Sequence, residues 1–118
     1  MKKLTDKELE ILNVLWDKGA LSMRDLTEQM PEPKPHFNTL ATYVRRLETH
    51  GMITHKALGP RFFLYEAAMT REKYAEMMNK DSIDKFFNGS YMDFISQLVT
   101  EQEISIDDLK ELIKMIEK

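Results

Sequence analysis

Apolar residues along most of this chain recur every three or four positions, the spacing of amphipathic helices. A first helix is predicted to begin at Thr5, whose hydroxyl can form a capping box with Glu8, and to end at Gly19. A short second helix is predicted from Ser22 to near Met30. Three prolines in the next five residues prevent this helix from continuing, so a stiff connector leads to the following element.

The segment from Pro35 to Gly51 is predicted to form a third helix with Gly51 as a left-handed C-cap, and the rest of the chain is interpreted around it. Leu40, Val44 and Leu47 make one apolar stripe. The other side, which we call the outer face, is polar and basic. It consists of Asn38, Thr39, Thr42, Arg45, Arg46 and Thr49. Short polar side chains near the start of such a helix can reach base edges, and arginines can reach guanine or phosphate, so this face is typical of DNA recognition.

Directly after Gly51 the apolar period changes from 3.6 to 2. Residues 52–57 and 61–66 are predicted to be two strands, joined by residues 58–60. Lys56, Arg61 and His55 are expected near the tip of this hairpin, where they could contact the sugar-phosphate backbone or a minor groove. Three helices followed by a hairpin is the order of a winged helix-turn-helix, in which the hairpin is the wing.

The last 50 residues are predicted to form further helices with apolar stripes. The stripe residues are Met77, Phe86, Phe87, Phe94, Ile95, Leu98, Leu109, Leu112, Ile113 and Ile116. So short a segment cannot enclose these side chains alone, so it either folds back or packs against a second copy. We favour the second copy. The predicted class is therefore mainly α with a small β hairpin: a winged helix-turn-helix DNA-binding domain over 1–68 and a helical C-terminal dimerisation domain over 69–118.

The amino-acid composition excludes several classes of function and site. The 118 residues include no cysteine, which excludes a disulfide frame and thiolate chemistry. The three histidines lack metal-site spacing, and no serine lies in a catalytic motif, so we expect neither an enzyme nor a metal or cofactor. No apolar run approaches the roughly 18 residues of a membrane span, and the charged N-terminus lacks a signal-peptide core. A cytoplasmic protein without membrane insertion is expected.

The formal net charge of −3 is unevenly distributed. Residues 1–65 carry ten Lys and Arg against eight Asp and Glu, a net +2, whereas residues 66–118 carry seven against twelve, a net −5. From Lys34 to Arg61 there are five basic residues and one acid, Glu48, a local +4. Phosphate attraction depends on local charge, so this segment suits double-stranded DNA. One such patch would bind weakly, and two copies would add their phosphate contacts.

Several motifs along the chain resemble those of one known family. They are Leu4-Thr5 with Glu8 and Trp16; the run from Thr39 to Leu47 with Gly51; Gly59-Pro60-Arg61-Phe62 with Tyr65; Phe87-Asn88-Gly89-Ser90; and Ser105-Ile106-Asp107-Asp108-Leu109 with Leu112. In this order and spacing the chain resembles the penicillinase repressor family of bacterial regulators over nearly its whole length.

That resemblance implies a homodimeric transcriptional repressor that binds palindromic operators through two winged helices joined by helical C-terminal domains. It also implies a membrane sensor protease system as a further partner, which controls a β-lactam-resistance or similar operon by cleavage in the dimerisation helix. The family's scissile bond is Asn-Phe, and this chain has Gln97-Leu98 there. A copper-responsive branch uses a cysteine-rich site that this chain lacks.

Two other interpretations stay open at this point. The tail aromatics could line a small-molecule pocket that controls DNA binding, instead of forming a dimer core. They are Tyr74, Phe86, Phe87, Tyr91 and Phe94. The winged helix could also be a protein-interaction module without DNA binding. The near absence of acids on the outer face of the third helix argues against that second reading.

Overall fold

The elements of this computed structural model, which describes residues 3–117, follow the order expected for a winged helix with a helical tail. They are α1 (Asp6–Lys18), α2 (Met23–Gln29), α3 (Phe37–Thr49), β1 (Ile53–Gly59), β2 (Phe62–Ala67), α4 (Arg71–Phe86), α5 (Tyr91–Thr100) and α6 (Ile106–Ile116). Six helices and one two-stranded antiparallel sheet within residues 3–117 confirm the mainly α class with a small β hairpin.

The first helix begins with the predicted capping box. The Glu8 backbone N–H donates to Thr5 Oγ1 at 3.3 Å, and the Thr5 N–H donates to Glu8 Oε1 at 2.9 Å. The core face of α1 is centred on Ile11, Leu12 and Leu15, all buried. The helical spacing of Leu9, Leu12 and Leu15 predicts that Leu9 lies on this face and Ile11 beside it. The structure reverses the two: Ile11 is in the core and Leu9 is half-buried.

The second and third helices pack on α1 through a small set of fully buried side chains. Leu26 of α2 and three residues of α3, Leu40, Val44 and Leu47, are each 0% exposed. Burying a large aliphatic side chain contributes about 1.5–3 kcal/mol. The apolar stripe predicted for α3 is therefore its core face, and the polar side of the helix is left free.

The end of α3 sets the path into the hairpin. Gly51 has φ 78°, the left-handed conformation expected of it, and the Met52 N–H donates to the Leu47 carbonyl at 2.9 Å. This reversal places Met52 and Ile53 in the core, 2% and 1% exposed. The wing is thus anchored at its start by the same turn that ends α3.

The turn of the hairpin lies later than the sequence indicated. Gly59 pairs with Phe62, so the turn consists of Pro60 and Arg61 and not of residues 58–60. The register shifts between Ala57 and Gly59, which accommodates the additional residue between them. Leu21 forms an isolated bridge with Tyr65 on the other edge of β2.

The chain divides into two compact units inside α4: the N-terminal unit ends at Ala75, and the C-terminal unit begins at Glu76. The start of α4 is bonded into the N-terminal unit. Tyr74 accepts a hydrogen bond from the Leu4 N–H at 3.1 Å, and Trp16 Nε1 donates to the Met69 carbonyl at 2.9 Å. This division lies seven residues after the one placed at 68/69 from the sequence.

In the C-terminal unit, Ile83 is 3% exposed and the rings of Phe87 and Phe94 meet edge to face with centroids 5.4 Å apart. Ser90 caps α5 by accepting from the Asp93 N–H at 3.1 Å. Ser105 and Asp108 form a complete capping box at the start of α6, with hydrogen bonds of 3.0 and 3.1 Å. The spacing of Ser105 and Asp108 predicts this second capped helix start, which is confirmed.

Candidate nucleic-acid interface

All six side chains predicted on the outer face of α3 are exposed. At about 100° per residue they cover one continuous arc of roughly 120°. The acid nearest to this arc, Glu48, is half-buried, and its carboxylate contacts the His55 imidazole of β1. The outer face therefore presents cations, an amide and hydroxyls without a free carboxylate among them.

Two of the threonines on the outer face already use their hydroxyl hydrogens. Thr42 Oγ1 donates to the Asn38 carbonyl and Thr49 Oγ1 to the Arg45 carbonyl, each at 3.0 Å. A hydroxyl has one hydrogen to donate, so in this arrangement Thr42 offers a neighbour only lone pairs and a methyl group. In the major groove these match an amino group of adenine or cytosine, or the methyl group of thymine.

The two adjacent arginines of α3 have different surroundings. The Arg46 guanidinium lies over the Tyr43 ring, 5.7 Å from its centroid, and this contact holds the charge close to the helix. Arg45 points to the other border of the outer face and lines a cleft shared with the wing. The pair therefore spreads its charge across the width of the face.

The wing brings one predicted cation to its tip and leaves two further back. Arg61 occupies the turn itself, with φ 62°. Lys56 and His55 lie within β1, opposite Leu64 and Tyr65, so the expectation that they lie near the tip is wrong. The reason is the later turn, which lengthens β1 beyond both residues. His55 also packs edge to face on Phe63 at 5.4 Å and contacts Glu48, which ties the base of the wing to the end of α3.

A cleft of about 490 Å³ lies between the start of α2, the side of α3 and the wing. We call it the wing cleft. Its lining residues are Ser22, Met23, Arg24, Phe37, Ala41, Arg45, Arg61, Phe62, Phe63 and Tyr65. Arg24 and Phe37 were missed from the sequence. Phe37, Ala41 and Arg45 recur at i, i+4 and i+8, a second helical stripe that could have revealed them.

The ten residues predicted for dimerisation all lie in the C-terminal unit and divide equally between exposed and half-buried positions. Phe86, Ile95, Leu112, Ile113 and Ile116 are exposed, whereas Met77, Phe87, Phe94, Leu98 and Leu109 are half-buried. The structure adds three exposed apolar side chains that the sequence reading missed, Met92, Ile106 and Met115. No helix within residues 3–117 is both long and apolar enough to cross a membrane.

The five aromatics suggested as a ligand pocket are divided between the two units, and within the C-terminal unit Phe87 and Phe94 are in contact. Tyr74 belongs to the N-terminal unit, where it bonds to Leu4 and its ring lies 6.0 Å from that of Trp16. Phe86 and Tyr91 are exposed, at 76% and 52%. That alternative interpretation is wrong for Tyr74, because its hydroxyl and ring are both engaged in the N-terminal unit.

Comparison with known proteins agrees with this arrangement. Residues 4–118 match the penicillinase repressor family model. The penicillinase repressor of Bacillus licheniformis is 23% identical over 122 residues, covering 100% of this chain and 94% of the relative. The methicillin resistance regulatory protein MecI of Staphylococcus aureus is 23% identical over 117 residues, covering 98% of this chain and 94% of the relative.

Among solved structures, BpsR of Bordetella bronchiseptica, whose DNA binding is regulated by 6-hydroxynicotinic acid, superposes with a TM-score of 0.51 at 16% identity. The match covers 98% of this chain and 74% of BpsR. This likeness shows the fold, that of winged-helix regulators. A full-length family match and an exposed recognition helix beside a wing lead to one conclusion: the chain belongs to the penicillinase repressor family and is a DNA-binding transcriptional repressor.

Proposed function

We propose that this repressor acts as a homodimer on a palindromic operator, with α3 in the major groove and the wing on the DNA backbone. The observation that supports it best is the outer face of α3, where every polar and basic side chain is exposed and the neighbouring acid is held by His55. Asn38, Thr39 and Thr42 stand at the N-terminal end, the part of a recognition helix that meets base edges.

In this arrangement the remaining cations position the protein on the duplex. Arg61 contacts the sugar-phosphate backbone beside the groove that α3 occupies, which its position in the wing turn supports. Arg45 and Arg46 reach guanine or phosphate from the middle of α3. Thr49 contacts the backbone near the end of the helix. Lys56 and His55, which lie further back on the wing, are expected to contribute least.

The apolar surface of the C-terminal unit supports the homodimer. Ile113, Leu112 and Ile116 of α6 are 52%, 49% and 74% exposed, and Phe86 and Met92 are 76% and 73% exposed. Soluble monomers rarely leave contiguous apolar patches larger than a few hundred Å². A second copy would cover this surface by a two-fold interface and carry two recognition helices spaced about one DNA turn apart, roughly 34–36 Å or a multiple of it.

We further propose that a sensor-protease operon, of the β-lactam-resistance type or a related one, is the regulated unit. The support is the family match and the names of the relatives, a penicillinase repressor and a methicillin resistance regulator. Cleavage at Gln97-Leu98 is not part of the proposal, because these residues differ from the Asn-Phe bond that the family resemblance implies.

The test is a titration of the full chain against the DNA upstream of its own gene and against a scrambled duplex, at several salt concentrations. We expect clear preference for the upstream DNA, two chains per site, and an affinity that falls steeply with salt. Arg45→Gln should weaken binding to both duplexes. Lys80→Gln, which removes the same charge from exposed α4, should change either affinity less than twofold. Equal affinity for the two duplexes would refute operator recognition and favour a protein-interaction module.

A further inference from the structure

The wing cleft combines exposed aromatic rings with arginine side chains, and a DNA contact alone does not require the aromatic rings. Three phenylalanines are open to solvent there: Phe37, Phe62 and Phe63 are 50%, 49% and 39% exposed. They come from the start of α3 and from β2, so the fold brings them to one site from different parts of the chain. Phe63 packs on His55 as described above, and the exposed part of each of the three rings is apolar surface that a flat ligand could cover.

The space between these rings exists because a small residue faces it. Ala41 lies one turn after Phe37 and one turn before Arg45, lines the cleft, and is 6% exposed. A longer side chain at this position would extend into the cleft. The volume of about 490 Å³ falls within the range of roughly 300–1,000 Å³ that is usual for small-molecule sites.

The charges around the wing cleft have one sign. Arg24, Arg45 and Arg61 line it, and none of its lining residues is acidic. Arg24 forms an ion pair with Glu28, with 3.7 Å between Arg24 Nε and Glu28 Oε1. Within residues 3–117, neither Arg45 nor Arg61 has a carboxylate partner in the N-terminal unit or elsewhere. Two guanidiniums with free donors therefore stand beside exposed aromatic faces.

We infer that the wing cleft binds a small planar aromatic carboxylate. Its ring would stack against the phenylalanines, and its carboxylate would accept paired hydrogen bonds from Arg45 or Arg61, the geometry that guanidinium groups favour. A DNA phosphate would satisfy the same arginines without covering the phenyl faces, whereas an aromatic acid does both. The chemistry of the walls thus selects a ligand that is flat, apolar over most of its surface and singly anionic.

Such a ligand would inhibit DNA binding, and this regulatory role rests on the proposed function. Arg45 and Arg61 are also our proposed DNA contacts, so ligand and operator compete for the same guanidiniums. In the proposed dimer both wing clefts must be empty for operator binding, so the apparent operator Kd should rise by the square of the factor 1 + [ligand]/Kd of the ligand. No rearrangement of the C-terminal unit is needed.

The experiment titrates 2-naphthoate into the full chain in the absence of DNA, followed by calorimetry and by the fluorescence of the probe. We expect a Kd below 1 mM for 2-naphthoate and at least tenfold weaker binding of 2-naphthamide, its neutral analogue. Phe63→Ala and Arg45→Gln should each weaken 2-naphthoate at least fivefold. Arg46→Gln removes the same charge from the next residue, which lies outside the wing cleft, and should change the Kd less than twofold.

Ala41→Leu fills the wing cleft without removing an arginine and should abolish 2-naphthoate binding. Circular dichroism shows whether each variant is folded, and Phe63→Ala keeps the test decisive where Ala41→Leu does not fold. A folded chain that binds no 2-naphthoate, or whose binding ignores the cleft variants, overturns the inference. If Phe63→Ala instead weakens operator binding alone, the cleft belongs to the DNA interface. Binding of 2-naphthoate without any operator binding would support the site and refute the proposed function.

Discussion

Replacing Ile113 by alanine measures how much the apolar surface of α6 contributes to assembly. The side chain is 52% exposed, so association can remove about half of its apolar area from water. Full burial contributes about 1.5–3 kcal/mol, which leaves roughly 0.8–1.5 kcal/mol for this residue. A symmetric dimer contains the position twice, so the expected loss is about 1.5–3 kcal/mol, a dimer Kd roughly 10- to 150-fold weaker.

Sedimentation equilibrium over a range of chain concentrations gives the dimer Kd directly, and operator titration of the same samples follows its consequence. Ile113→Ala should bind operator more weakly at concentrations where the dimer dissociates, and should regain full affinity as the chain concentration rises. Lys114→Ala is the matched control, because it truncates an exposed long side chain about 100° further round the same helix, off the apolar stripe. Its dimer Kd should change less than twofold.

An unchanged dimer Kd for Ile113→Ala would place α6 outside the interface and would refute the energetic reasoning above. A full-length chain that sediments as a monomer at micromolar concentration, yet binds its operator tightly, would refute the homodimer itself. Since Ile113 is distant in sequence from every proposed DNA contact, a loss of operator binding that higher chain concentration cannot restore would show misfolding, which circular dichroism would reveal.

Three further substitutions address base recognition, the wing and stability. Thr42→Val keeps the shape of the side chain and removes the hydroxyl acceptor, so one operator position should lose its base preference, which costs about 0.5–1.5 kcal/mol or roughly two- to twelvefold in Kd. Thr42→Ser should keep the preference for an amino group, and a uniform loss of affinity over all duplexes would contradict base recognition. Arg61→Gly should weaken binding to specific and random DNA alike and flatten the slope of log K against log salt by about one unit per chain, or about two for the dimer on its operator. An unchanged slope would remove the wing tip from the interface. Tyr74→Phe leaves the Leu4 N–H without its hydrogen-bond partner and should lower the free energy of unfolding by about 1–3 kcal/mol in urea titrations. In the control Tyr43→Phe the ring keeps its contact with Arg46, so the free energy of unfolding should change by less than about 0.5 kcal/mol. Equal effects of the two substitutions would show that the hydrogen bond to Leu4 contributes nothing.

Features set by residues within a turn or two of one another could be predicted from the sequence. The capping boxes at Thr5 and Ser105, the C-cap at Gly51 and the exposed outer face of α3 are all of this kind. Each depends on a short spacing and on the chemistry of two or three side chains, which the chain displays directly.

Features that depend on pairing between residues distant in sequence could not be predicted from the sequence. The hairpin turn lies at Pro60-Arg61 because Gly59 pairs with Phe62, and alternation alone does not specify that register. Tyr74 belongs with α1 because of a bond to a residue 70 positions away. The wing cleft draws its lining from α2, α3 and β2, so only the packing of these elements reveals that Arg24, Phe37 and Phe63 are neighbours.

The backbone conformation of Arg61 has a consequence for the stability of the wing. With φ 62° it adopts a conformation that costs an L-residue about 1–2 kcal/mol and that glycine accepts freely. The greater unfolded-state entropy of glycine would cancel up to about 1 kcal/mol of that difference. A glycine here would therefore leave the folded wing as stable as before or more so, while deleting its foremost charge. If the proposed DNA contact holds, Arg61→Gly should therefore weaken DNA binding while leaving the free energy of unfolding unchanged or raised, a separation of binding from folding stability.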